Sequence, residues 1–178
     1  LARVRAKQND DPAAVPLYKD VLKADPGNTE AILGLTSSLL NLQRWDEVTR
    51  VLSGVSEAAA KYVDAQLLLC DLYLNRIAPL TAQNIERAAH AVHVLAGRTE
   101  DARYYLARGD VYRAAWQLAR ANQLPANTTI AGVSSTSPRV LGAAAEESYR
   151  QYLRREQYPA NREDVVRRTL EVTPWHLL

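Results

Sequence analysis

Glu86, His90 and His93 make the densest grouping of reactive side chains in the sequence. Spaced by four and then three residues, they fall near one face of a helix, where imidazole and carboxylate groups could hold zinc. The set is incomplete as a metal site. A helical metalloprotease motif needs histidines at i and i+4 around a glutamate, and no third strong ligand accompanies this pair. A solvated helix face is the simpler reading, and a helical metal-binding protein using Glu86, His90 and His93 is the alternative one.

The other reactive groupings are weaker. Arg108-Gly109-Asp110 spells an adhesion tripeptide, but it lies amid residues of helical period, where Gly109 serves close helix packing better than display on a loop. Asn127-Thr128-Thr129 fits a glycosylation sequon, which is inert without a secretory route. Cys70, the single cysteine, sits between apolar neighbours and reads as a buried structural thiol. Glu146 and Glu147 are adjacent, so they point to different sides of a helix instead of converging on a substrate. Seven glycines form no Gly-rich loop, so motifs that bring backbone close to phosphate are absent. No catalytic residue and no cofactor is expected.

The whole-chain arithmetic agrees. The chain has 178 residues, 47% hydrophobic and 24% charged, a globular composition with room for a real core. Twenty-two basic against 20 acidic residues leave +2, too balanced for a dedicated nucleic-acid binder. Charge is uneven along the chain, however. Residues 103–178 hold 11 arginines and no lysine against 7 acids, which suits either an acidic partner surface or a solvated helical face. No apolar run reaches about 18 residues, so no transmembrane segment is expected. One cysteine and no visible export signal make the cytoplasm the expected address. Met is absent and the chain starts at Leu1, which predicts a piece of a longer polypeptide.

Apolar residues recur at three- and four-residue spacing nearly everywhere, which predicts an all-α protein of seven to nine helices. A first helix runs from about Pro12 or Pro16 to Ala24, with Asp11 as cap, and stops at Asp25-Pro26-Gly27-Asn28. Ile32, Leu35, Leu39, Leu40 and Leu42 mark the next helix. After a turn at Gln43-Arg44, Trp45, Val48, Val51, Leu52 and Val55 mark its partner, closing an αα-hairpin. Further helices carry Tyr62 to Tyr73, Ile85 to Leu95 behind Thr81, Tyr104 to Ala119, Leu141 to Leu153 behind Ser137-Pro138, and Val165, Val166 and Leu170. Residues 122–138, rich in Ser, Thr, Asn, Gly and Pro, predict a long mobile loop.

The first hairpin resembles a tetratricopeptide repeat. With Thr29 as position one, Ile32, Leu35 and Leu39 take the large-residue positions of the first helix. In the second helix Trp45 takes the aromatic position, Val48 the small-residue position and Leu52 the phenylalanine position, and Asp25-Pro26 closes the preceding half repeat. Thr36 and Val48 depart from the pattern, standing where it prefers glycine and alanine. The resemblance implies a stack of antiparallel hairpins, a short α-solenoid with a concave recognition surface. Leu33, Ser37 and Leu40 are its groove candidates here. They lack the Lys and Asn with which chaperone-binding repeats clamp a C-terminal carboxylate.

The succession of helices is similar to something more specific. Tyr62-Val63-Asp64-Ala65-Gln66-Leu67 follows the clear repeat, Pro79-Leu80-Thr81 opens an inserted helix, and Arg108-Gly109-Asp110-Val111 lies in the next. Ala144-Ala145-Glu146-Glu147-Ser148-Tyr149-Arg150 follows the loop, and Thr169-Leu170-Glu171-Val172-Thr173-Pro174-Trp175 closes the chain. This order resembles the C-terminal tetratricopeptide domain of protein kinase G-type bacterial serine/threonine kinases. The resemblance implies a non-catalytic domain that regulates a kinase, contacts its substrates or pairs two chains. The expected partners are therefore a protein or peptide, a kinase domain in the same polypeptide, or a second copy. Kinase hallmarks are absent: there is no Gly-rich loop, no His-Arg-Asp string, and no Phe for an Asp-Phe-Gly.

The expected organisation is one tetratricopeptide-like domain over 1–178. It has its clearest repeat in 12–60, hairpins in 61–121, the loop in 122–138 and C-terminal helices in 139–178. Trp175, Leu177 and Leu178 are expected to cap the last helices or to dock on a partner, since exposing all three would leave an apolar patch.

Overall fold

Asp10 decides where the first long helix begins. In the computed structural model, which describes residues 2–7 and 10–173, its carboxylate accepts a hydrogen bond from the Ala13 amide at 3.3 Å. Helix α1 spans Ala2–Lys7 and α2 spans Asp11–Ala24. The cap is thus Asp10 rather than Asp11. Asp11 is the first helical residue, and its Oδ2 accepts from Asn41 Nδ2 at 2.9 Å. Asn28 caps α3, Thr29–Asn41, by accepting from the Ala31 amide at 2.9 Å.

Gln43, at φ 55°, turns the chain tightly into α4, Trp45–Ser53. The hairpin closes over Leu35, Leu39, Val48 and Leu52, none more than 4% exposed. Thr36 is buried with them.

The chain packs as two compact units, Leu1–Leu69 and Cys70–Leu178, with the boundary inside α5, Tyr62–Asp71. In the second unit, the helix read as one piece to Tyr73 changes register. Leu72–Arg76 forms a π turn, closed by Ile77 N–H donating to the Leu72 carbonyl at 3.0 Å.

Thr81 caps α6, Ala82–His93, Asp101 caps α7, Ala102–Arg120, and Ser137 caps α8, Pro138–Arg155. A 3₁₀ turn, Pro159–Asn161, leads to α9, Glu163–Val172. The core of this unit gathers Ile85, Leu95, Val111, Ala115, Leu141, Ala145 and Tyr149. On α9 the buried residues are Val165 and Val172, whereas Val166 and Leu170 face solvent at 44% and 50% exposure. The described residues contain nine α-helices and no strand.

Residues 122–137 form no helix, yet they are fastened to the second unit. Ile130 is 2% exposed, the Thr129 amide donates to Glu86 Oε1 at 2.8 Å, and Tyr112 OH donates to the Ala131 carbonyl at 3.3 Å.

Candidate interaction surfaces

On α3, Leu35, Ser38 and Leu39 turn inward, which leaves Leu33, Ser37 and Leu40 along the opposite stripe. Leu33 is 48% exposed, Ser37 is exposed and Leu40 is half-buried. The stripe carries no charge: two leucines flank a hydroxyl. Elsewhere in the first unit, Leu22, Ile32 and Val51 floor an open groove of about 440 Å³ rimmed by Lys19, Lys23 and Arg50. Lys19 Nζ donates to Glu47 Oε2 at 2.6 Å, and this bond lowers the Glu47 pKa against the opposing effect of burial.

The second unit has a larger and more polar groove, about 670 Å³, between the π turn, α7 and α9. Its floor is an ion-pair network. Asp110 Oδ1 accepts from Arg168 Nη1 at 2.6 Å and from Tyr149 OH at 2.8 Å. Arg168 also pairs with Asp164, one helical turn earlier. Beside it, Glu171 accepts from Arg113 Nε at 2.7 Å and from Gln117 Nε2 at 3.0 Å.

Burial opposes the Arg168 charge, but Asp110 and Asp164 outweigh it and hold its pKa above the ordinary value. Burial likewise opposes ionisation of Glu171, but Arg113 and Gln117 outweigh it and hold the pKa low. Burial first, then Asp110, pushes the Tyr149 phenol upward. These shifts fix charge in place, which suits recognition of a polar partner better than proton transfer near neutral pH. Leu74, Leu80 and Leu106 add apolar contact along the same walls.

The arrangement separates the sequence candidates. Glu86 is engaged by the Thr129 amide, while His90 and His93 lie exposed on α6. Among the described residues no group of three His, Cys, Asp or Glu is placed to hold a metal ion. Arg108-Gly109-Asp110 is helical, with Gly109 buried and Asp110 in the ion-pair network. Cys70 is 1% exposed, and burial pushes its thiol far up from the ordinary range. Glu146 pairs with Arg150, and Glu147 accepts from Gln151. Trp175, Leu177 and Leu178 lie outside the described residues.

Sequence reasoning missed the Asp110–Arg168 and Arg113–Glu171 pairs. The one available signal was the excess of arginine after residue 103. No curated protein and no solved structure gives a significant match to the chain. The family model described as protein kinase G tetratricopeptide repeat matches residues 1–175, nearly the whole chain, and the all-helical fold accords with it. The chain belongs to the protein kinase G tetratricopeptide repeat family.

Proposed function

We propose that this chain is the C-terminal interaction domain of a protein kinase G-like serine/threonine kinase, and that it regulates the kinase domain or brings substrate to it. The family match carries the link to a kinase. The exposed stripe of Leu33, Ser37 and Leu40 supports protein binding, because the first helix of a stacked hairpin lines the recognition surface of such repeats. Docking on a kinase domain or its substrate would cover the two leucines, and pairing with a second copy of the chain would do the same. A cytoplasmic setting follows from the kinase link. No helix among the described residues is long and apolar enough to cross a membrane.

The test is binding in trans. A protein kinase G-type kinase domain is immobilised, and the chain is passed over it as wild type and as the double variant L33D/L40D. Binding by the wild type, weakened at least tenfold in the variant at an unchanged melting temperature, is expected. Undiminished binding by the variant would remove the stripe from the interface. Absence of binding by the wild type, together with a monomeric chain, would favour a stand-alone adaptor of unrelated function.

A further inference from the structure

Arg108 stands apart from the other half-buried arginines of the second unit. Arg113, Arg155 and Arg168 each meet a carboxylate, and Arg162 donates to two carbonyl oxygens. Arg108 has no acidic partner among the described residues. Its guanidinium lies 5.6 Å from the centre of the Tyr112 ring. Burial opposes its charge, but the neighbouring Tyr112 and Tyr104 outweigh it and hold its pKa above the ordinary value.

The side chain lines a cavity of about 220 Å³ bounded by α6, α7 and the segment around Ala131 and Gly132. Ala89, Ala96, Ala131 and Gly132 keep it open by being small, and Arg108 is the one arginine or lysine on its wall. At 100° per residue, Arg108, Val111 and Tyr112 face away from the α7 residues of the ion-pair groove, so this is a separate site.

The cavity is built before anything binds. Tyr112 OH holds the Ala131 carbonyl, and Gly132, at φ 89°, lets the backbone pass where a Cβ would lie 2.4 Å from that hydroxyl. A partly desolvated guanidinium without a counter-charge gains most from a planar anion that takes two of its N–H donors. The volume lies below the roughly 300–1,000 Å³ of a site for a drug-sized ligand, which leaves room for one side chain. One guanidinium balances one carboxylate, and His93 on the same wall offers a second polar contact.

We propose that the Arg108 cavity is a socket for a single glutamate or aspartate side chain of a protein partner. The inference rests on the interaction reading for the source of that side chain, and its chemistry is independent of the α3 stripe. Isotope-labelled full-length chain is titrated at pH 7 with N-acetyl-glutamate N-methylamide, its glutamine counterpart and inorganic phosphate, followed by NMR. The expected result is at least tenfold tighter binding of the glutamate probe than of the glutamine one, with shifts centred on Arg108, Tyr112 and Gly132 and lost in R108Q.

Equal binding of the two blocked residues, shifts centred elsewhere, or tighter binding of phosphate would overturn the proposal. Should R108Q fail to fold, the wild-type selectivity and shift pattern still decide. L33D/L40D should titrate like wild type, so the socket and the stripe can fail separately.

Discussion

Gly109 lies directly under the ring of Tyr149: a Cβ on Gly109 would come 2.4 Å from Cε1 and 2.5 Å from Cδ1. Both residues are buried, and Tyr149 is fully so. The contact brings α7 and α8 together and aims the Tyr149 hydroxyl at Asp110. Glycine usually weakens a helix interior by about 1 kcal/mol relative to alanine, so a surface glycine here would invite G109A as an improvement. The opposite is expected. Forcing a methyl against a ring with nowhere to go costs about 1–3 kcal/mol, and the ring's displacement would also strain its bond to Asp110. Denaturant unfolding of G109A should show a lower midpoint, and a raised midpoint would show that the helices are not in such close contact.

Thr36 and Ser38 on α3 are buried with hydroxyls that have no hydrogen-bond partner among the described residues. A buried hydroxyl left unpaired costs about 1–3 kcal/mol of desolvation, and replacing it by an apolar group of similar shape recovers part of that. T36V and S38A should therefore each raise stability, by about 0.5–1 kcal/mol, with S38A helped further by alanine's helix propensity. Thermal melts of the single variants check this. A fall in either melting temperature would mean that the hydroxyl is satisfied in solution.

What the sequence disclosed and what it hid divide along chain separation. Thr81 and Ser137-Pro138 were readable as helix starts because a cap bonds to an amide only three residues on. Gly109 was readable as a packing glycine because its neighbours keep a helical period. The groove was not readable, because Asp110 meets Arg168, and Arg113 meets Glu171, across 58 residues with no local pattern to announce either pair. Asp10 and Asp11 both suit a cap, and composition could not choose between them. Val166 and Leu170 looked like packing residues because apolar side chains of a short helix can lie on either face. Only α9's packing on its neighbours decides which face is covered, and it covers Val165 and Val172.

Glu171 gives the groove an acid-sensitive element. Its folded pKa is depressed, with burial opposing and Arg113 and Gln117 prevailing. A depressed carboxylate stabilises the fold fully above its unfolded pKa, about 4.3. That contribution disappears as pH falls through the lower folded value. Its side chain is 38% exposed, so solvent screening limits the contribution to about 0.2–1 kcal/mol. E171Q should accordingly be less stable than wild type at pH 6–7, and the difference should shrink as pH is lowered below about 4.3. Urea unfolding of both proteins at several pH values measures it. A difference independent of pH would assign the effect to lost packing instead of lost charge.

Ile130 makes the segment 122–138 part of the second unit's core. It is 2% exposed although it belongs to no helix, and the bonds from Thr129 to Glu86 and from Tyr112 to Ala131 hold the backbone on either side of it. A side chain merely draped over the surface would cost less than about 0.5 kcal/mol on truncation. A buried isoleucine costs about 2–5 kcal/mol when cut to alanine, through lost burial and the cavity left behind. I130A should therefore lower global stability by at least about 2 kcal/mol. E86A removes one tether without opening the core, so its cost should be smaller and its main effect should be faster protease cleavage within 122–138. Wild-type stability in I130A would show that Ile130 is not seated, and the wall that Ala131 and Gly132 give the Arg108 cavity would then lose its anchor.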